Sequence, residues 1–397
     1  MPLNIAIIGA GPVGLTLARI LLKSPSDINV TIFERDASAS SRNTRGGSLD
    51  LEATTGLAAI DATGLRAGFD RVARYDPETS GMIYTTRQGK IVFEKPVNAN
   101  EPNKRPEIDR IDLRTLLLNG LPASTIRWGA RLTSIAPDGT LCFADGDIDA
   151  SQFDLVIGAE GAWSKVRAHI APRTPGPVFA GVGILEMSVS AEDAERVGIT
   201  RTIKGGMHFS IGDRQVLAGQ LLTTGAYMLY AMIPMRSAED FKAVRDACGD
   251  QERLRDHFKA DYEAKGWAPE FLAWFDVVQL DSMRAWPLYE YEFPNGHVWE
   301  HKKGWTLVGD AAHVMTPLAG EGVNAGMRDA LELAKRLSTL GDGDGEALNA
   351  AVKEYEEEMF ARLRPIMLET LTNKASYFAE GTPESIVAEL KVALAKY

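Results

Sequence analysis

The stretch NIAIIGAGPVGLTLARILL, Asn4 to Leu22, decides the fold. It opens with an apolar β run, Asn4–Ile8, passes through a glycine-rich turn and continues in helical composition over Leu15–Lys23. A second β run, Val30–Phe33, follows, so the N-terminus reads as a βαβ unit. In the GxGxxG spacing, Gly9 permits a tight turn, Gly11 lets a pyrophosphate approach the backbone, and Gly14 lets helix and strand pack closely. The helix N-terminus would face the phosphates with unpaired N–H groups and a partial positive charge. Glu34 stands at the end of the second β run, where a carboxylate accepts from a ribose hydroxyl. The stretch is apolar enough to imitate a signal peptide or membrane anchor. Arg19 interrupts it short of a span, however, and no small-residue cleavage site follows, so a buried strand and helix are expected.

At 397 residues the chain fits two domains, or one with an embellishment. Its 45% hydrophobic and 24% charged residues suit a soluble globular protein. A net charge of −11 argues against a groove that tracks nucleic-acid phosphates. Cys142 and Cys248 show neither pairing nor metal spacing, so no metal is expected and a reducing, cytoplasmic setting is.

Further along, IDLRTLLLNGL (111–121) reads as a helix, Ile126–Ile135 as a strand and Phe153–Ile157 as a buried strand ending in glycine. From about Val178 the pattern changes. GVGILEMSVS, GMHFSIGDRQVLAGQLL and AYMLYAMIP are strand-like runs with hairpin-type breaks. Asp240–Lys265 reads as one charged, exposed helix. The first pattern returns at Gly304 with GWTLVGDAAH, then a helix over Asn324–Leu340 and, after GDGDGE, a long helix from about Ala347. The predicted fold class is α/β: a Rossmann-like cofactor domain interrupted by a β-sheet-rich substrate domain, with a C-terminal helix. The expected divisions are 1–173 and 287–342 for the cofactor domain, 174–286 for the substrate domain and 343–397 for the helical segment.

Two more motifs carry chemistry. DLVIGAEGAWSKVR, Asp154 to Arg167, runs from a strand into a glycine turn, then Ser164 and two basic residues; alone it reads as a loop with a capping serine. In LVGDAAHVMTPLAGEGVN, Leu307 to Asn324, Asp310 at a strand end would accept from the hydroxyls of a ribityl chain. Pro317 fixes a stiff turn, and Gly320, Gly322, Val323 and Asn324 present backbone N–H groups at the start of a helix. A helix N-terminus aimed at a flavin ring stabilises the negative charge that develops at its pyrimidine edge on reduction. The glycines make room for a large flat cofactor. His313, beside the cofactor strand, is expected to be structural.

With the three motifs in order, the sequence resembles the class A flavoprotein monooxygenases, the para-hydroxybenzoate hydroxylase family, over nearly its whole length. The resemblance implies that the first motif binds the ADP part of FAD, that the second lies near FAD and NAD(P)H, and that the third binds the phosphate and ribityl part. AIIGAGPVGLTLA, FERD, GGSLDL, PEIDRIDLRTLLLN, SKVR and VGDAAHVMTPLAGEGVN are most similar to segments of the tetracycline-inactivating monooxygenases, the tetracycline destructases. By that resemblance Glu34 and Arg35 belong to the adenosine side of FAD, Asp50 and Arg110 contact FAD elsewhere, and Asp310 is the third-motif acid. Arg42 matches an arginine implicated with NADPH, in a loop one residue longer here. Glu160 replaces the Asp usual in the second motif, and Glu321 stands where the tetracycline enzymes have Gln. The middle domain departs further: Met228 or Tyr230 falls near their substrate His, and Met207 or His208 near their substrate Arg.

The resemblance implies that NADPH reduces FAD, that O₂ forms a flavin C4a-hydroperoxide, and that one oxygen passes to an aromatic or polycyclic substrate, with tetracycline-like molecules among the candidates. The flavin does the chemistry, so no side chain is assigned as catalytic. Phe209, Met228, Tyr230 and Trp286 are expected to offer an apolar face to the substrate, and Gln220 and His208 to orient its polar groups. Aromatics and Met at strand spacing read equally as plain core. A flavin reductase or dehydrogenase on the same fold, and a non-enzymatic nucleotide-binding protein, are the other classes. A monomer is expected, with no nucleic-acid or membrane partner; SIVAELKVALAKY at the C-terminus reads as an amphipathic helix, too short and charged for a span.

Overall fold

The computed structural model describes residues 2–42, 46–95, 97–292, 299–340 and 345–381, without the Arg42 side chain; the C-terminal SIVAELKVALAKY lies outside this set. Strand β1 (Leu3–Ile8), helix α1 (Pro12–Leu22) and strand β2 (Ile28–Glu34) form the N-terminal unit. Ile5, Ala6, Ile7 and Ile8 are all buried, because a central parallel strand is covered on both faces. The helix starts at Pro12, earlier than its composition indicates. Proline's preset φ suits the first helical position, where its missing N–H would have had no partner.

Next come β3 (Ser48–Asp50), β4 (Met82–Thr86), β5 (Ile91–Glu94), β6 (Glu107–Asp109) and α2 (Arg110–Leu118). The stretch expected as one strand over Ile126–Ile135 is two, β7 (Ile126–Trp128) and β8 (Leu132–Ile135). Gly129 between them takes φ +75°, a left-handed turn that sends them into different sheets. β8 joins β9 (Leu141–Phe143) and β10 (Gly146–Ile148) in a small antiparallel sheet, and β11 (Leu155–Gly158) leads into α3 (Lys165–Ile170).

The second half supplies β12 (Val178–Val189), β13 (Met207–Gly212), β14 (Gln215–Leu221) and β15 (Tyr227–Pro234), followed by α4 (Ala238–Cys248), α5 (Gln251–Ala264) and α6 (Pro269–Asp276). The single helix expected over Asp240–Lys265 is thus two, parted by Gly249 at φ +76°. Then come β16 (Gln279–Glu290), β17 (Trp305–Leu307), α7 (Gly322–Leu337) and α8 (Gly345–Tyr377). The cofactor sheet runs β17-β11-β1-β2-β7, all parallel.

The larger sheet runs β16-β12-β15-β14-β13-β4-β5. It draws β4 and β5 from within 1–173, and β16 runs past 286, so the divisions at 173 and 286 do not separate the sheets. The parallel pairing of β4 with β13 joins strands over a hundred residues apart, and no local pattern announces it. Its outer face, with Met187, Leu217 and Leu229, is covered by Phe241, Phe258, Tyr262 and Phe271 of α4, α5 and α6. Its inner face, with Tyr84, Ile184, Ala218 and Met232, meets Leu318 and Tyr377. Helix α8 spans both domains: Leu348, Val352, Tyr355 and Leu363 belong to the cofactor core, while Tyr377 packs on the sheet. Among the described residues no helix is long and apolar enough to cross a membrane, and no acid, His or Cys cluster could hold a metal.

Candidate functional site: a glycine-lined cofactor cradle against the inner sheet face

The three motifs converge at the C-terminal ends of β1, β11 and β17, the end of a parallel sheet where ligands bind. Their glycines divide into two kinds. A Cβ on Gly9 would lie 2.6 Å from the Ala159 carbonyl oxygen, and one on Gly14 2.2 Å from that of Gly9, so these two serve packing. Gly11, Gly320 and Gly322 face open space, with nothing within 4 Å of an added Cβ. Gly11 caps α1 and Glu321 caps α7, neither through a side chain, so both helices present open first-turn N–H groups.

Glu34 is buried where β2 ends. Its Oε2 accepts from the Ala10 N–H at 2.6 Å and its Oε1 from the Asp36 N–H at 2.9 Å, which pins the carboxylate beside the first glycine turn. Arg35 is exposed next to it. In the second motif, Ser164 caps α3 by accepting from the Arg167 N–H at 2.9 Å, as the plain reading has it. Glu160 Oε1 accepts from the Val166 N–H at 2.9 Å, and burial pushes its carboxyl above the usual range. The buried Arg167 donates to the Ala312 carbonyl at 2.7 Å, and its guanidinium lies 3.5 Å from the centre of the Tyr291 ring. Burial lowers that guanidinium to about 10. Arg167, noted in the sequence only as a basic residue, therefore ties the second motif to the third.

His313 is structural. Its Nε2 lies 2.6 Å from Asp329 Oδ2, which also accepts from the Gly309 N–H at 2.8 Å, while Arg362 donates to Asp329 Oδ1 at 3.0 Å. Burial pushes the Asp329 carboxyl up, but His313 and Arg362 outweigh it and hold it below the usual range. This buried lock fixes the turn that carries Asp310. Asp310 itself is exposed although protein surrounds it; desolvation raises its carboxyl, against the pull of His313 and Arg110. Arg110, the first residue of α2, is exposed and near enough to act on both Asp310 and Tyr230.

Pro317 is exposed at the start of a short 3₁₀ turn and Val323 is half-buried. Asn324 has 0% exposure: its Oδ1 accepts from the Glu52 N–H at 2.9 Å and its Nδ2 donates to the Asp50 carbonyl at 3.0 Å. Its side chain thus belongs to the scaffold, and only its backbone is left for a ligand. The Asp50 carboxylate accepts from Arg105 Nε at 2.5 Å, and Arg105 Nη2 reaches Glu321 Oε1 at 3.0 Å. Arg105 escaped the sequence reading because it shares no local motif with either partner.

On the substrate side, register decides which residues face the cradle. Met228 pairs with Gln220, and Tyr230 with Ala218, which pairs in turn with Phe209. These residues share the inner face, since paired positions project to one side of a sheet. The Tyr230 hydroxyl donates to Gln220 Oε1 at 3.1 Å, and Gln220 Nε2 donates to the Ser48 carbonyl at 3.2 Å. Phe209 stacks on Tyr84, whose hydroxyl meets that of Tyr377 at 2.8 Å. Trp286 is exposed on β16. His208 is a correction. One residue out of phase with Phe209, it turns to the outer face, fully buried beside Phe271 and Trp274 and 3.2 Å from Thr85 Oγ1. It cannot orient a substrate in the cradle.

The open glycines, the two uncapped helix starts and the exposed Asp310 fit a dinucleotide with a flat ring. The FAD binding domain family matches residues 3–369. The chain belongs to this family of FAD-dependent monooxygenases. It is 30% identical to the monooxygenase penA of Penicillium thymicola, over 96% of this chain and 97% of that one. It is 28% identical to the salicylate hydroxylase of Pseudomonas putida, over 88% and 80%. Two tetracycline destructases, Tet(51) and Tet(55), superpose with TM-scores of 0.68 and 0.70 over 100% of this chain and 96% of each of theirs. At 16% and 18% identity they share the fold with this monooxygenase, and the likeness goes no further.

Proposed function

We propose that this monooxygenase uses NADPH and O₂ to hydroxylate an aromatic or polycyclic small molecule held between the flavin and the inner face of the large sheet. The observation that supports this most is the junction of Gly47 with Tyr230 and Gln220. A Cβ on Gly47 would lie 2.0 Å from the Tyr230 hydroxyl and 2.8 Å from Gln220 Oε1. The loop leading to Asp50 therefore abuts a polar pair that lies beside the apolar Met228, Phe209 and Ala218.

FAD, when bound, supplies the electron transfer and the activation of oxygen. The chain supplies the rest. Gly11 and the start of α1 hold the pyrophosphate, Glu34 and Arg35 the adenosine side, and Asp310 the ribityl hydroxyls. The start of α7, from Gly320 to Asn324, stabilises negative charge at the pyrimidine edge. Tyr230 and Gln220 orient a polar group of the substrate, while Met228 and Phe209 keep water away from the reacting carbon. Arg110 lies between these two halves, and Arg42 is assigned to NADPH by its place in the sequence.

The test follows NADPH oxidation, oxygen uptake and peroxide in parallel, with salicylate, simple phenols and a tetracycline offered in turn. A substrate of this class speeds NADPH loss, yields little peroxide and gains one oxygen atom from ¹⁸O₂. If none of them raises NADPH oxidation above its basal rate, or if only peroxide forms, the aromatic reading fails. An oxygenated tetracycline would extend the substrate range to the destructases' antibiotic.

A further inference from the structure

Asp50, Arg105 and Glu321 form an ion-paired triad at the start of α7, and none of the three motifs accounts for its central cation. Glu321 is the N-cap residue of that helix, and its side chain makes no capping bond. A carboxylate there opposes the partial positive charge that the open N–H groups would offer a flavin. Asp50 adds a second negative charge and is tied to the same helix, because its carbonyl accepts from Asn324 Nδ2 at 3.0 Å. Arg105 meets both acids, at 2.5 Å and 3.0 Å, with its side chain 26% exposed. Pairs so partly shielded from water act through a lower effective dielectric than surface pairs. Burial raises the Glu321 carboxyl and Arg105 opposes that rise; Asp50 and Glu369 add repulsion. Lys95 also feels Arg105 and Asp50.

We propose that Arg105 is a positioning and electrostatic residue for the cofactor: by offsetting one of the two negative charges of Asp50 and Glu321, it weakens their opposition to the positive start of α7 and makes the bound flavin easier to reduce. This rests on the flavin placement given above. Reduction adds negative charge to the ring, so two uncompensated carboxylates beside it oppose the added electrons more than the same two paired with a cation. Removing the cation and removing one anion must then act in opposite directions. A purely structural tie predicts no such sign reversal.

The experiment measures the midpoint potential of the FAD-loaded protein by anaerobic dye equilibration, for wild type, Arg105→Gln, Glu321→Gln and the double variant. Thermal midpoints and FAD affinity are recorded for each. Arg105→Gln is expected to lower the reduced-to-oxidised ratio at fixed potential about tenfold, a fall of about 30 mV for two electrons. Glu321→Gln is expected to raise it, and the double variant to return towards wild type. Equal potentials in all four proteins, or shifts of one sign in both single variants, overturn the proposal. If Arg105→Gln fails to retain FAD, the Glu321→Gln sign decides alone: a rise supports the proposal and a fall or no change overturns it. Failure of the wild type to bind FAD would instead overturn the cofactor placement itself.

Discussion

Tyr230 and Gln220, on neighbouring strands β15 and β14, are joined by a hydroxyl-to-amide hydrogen bond of 3.1 Å, and both occupy the space that a side chain on Gly47 would need. The sheet and the cofactor loop are therefore in register to within one methyl group. Gly47→Ala must displace the Tyr230 hydroxyl by about 1.4 Å or more to restore ordinary contact. NADPH oxidation is expected to continue while the fraction coupled to product drops severalfold and peroxide rises. Tyr230→Phe, which clears the contact, costs about 1 kcal/mol of stability from the lost bond. It should raise the substrate KM more than it changes FAD affinity. Stopped assays with peroxide detection, and FAD titrations, check both.

The open and packed glycines of the first and third motifs separate cofactor loss from folding loss. Gly11→Ala and Gly322→Ala add a methyl where nothing lies within 4 Å, so the apoprotein's thermal midpoint should not fall. FAD affinity should fall at least tenfold, as the backbone can no longer approach the ligand. Gly14→Ala places a methyl 2.2 Å from the Gly9 carbonyl oxygen, and it should cost the apoprotein itself about 1–3 kcal/mol. Calorimetry of the apoproteins beside FAD titration distinguishes the two.

His208 gives the large sheet an acid-sensitive contact. Burial drives its pKa from 6.5 down to about 3. In the unfolded chain the imidazole binds its proton first as pH falls, so the neutral buried His contributes fully above about 6.5 and its contribution is lost progressively towards 3. Thermal midpoints measured from pH 7.5 to pH 4.5 should therefore drop more steeply for wild type than for His208→Gln. Parallel curves would place the acid sensitivity elsewhere.

Arg167 is buried over Tyr291 with Nη1 on the Ala312 carbonyl. Arg167→Lys keeps the charge but loses the planar fork and its stacking, and should cost about 1.5–3 kcal/mol. Arg167→Met removes the buried charge as well, so it should cost less than the lysine variant. Urea unfolding of the two, set against wild type, checks that order.

The cofactor half was legible because its signals are local. Strand, glycine turn, helix and acid follow one another within about thirty residues, and each follows from backbone geometry or from the positive end of a helix. Position within a motif could not tell which glycines pack and which stay open. Gly14 and Gly322 look alike as letters, yet one faces a carbonyl and the other faces empty space. The same limit hid Arg105, whose partners Asp50 and Glu321 stand far from it along the chain.

The substrate half shows the limit most plainly. In β13 both faces are covered, so the alternation of Met207, His208, Phe209, Ser210 and Ile211 misleads: the polar His208 and Ser210 turn to the buried outer face, where Thr85 Oγ1 meets both. The sequence by itself determined a βαβ domain interrupted by strands, with Glu34, Asp310 and the glycine turns at the C-terminal ends of its parallel strands. Only the tertiary structure decided which way each strand of the large sheet faces, that β4 pairs with β13, and that Tyr230 and Gln220 rather than His208 meet the loop before Asp50. The physical reason is that sheet register is a long-range pairing with a period of two residues. A shift by one exchanges the two faces, and nothing in the neighbouring residues records it.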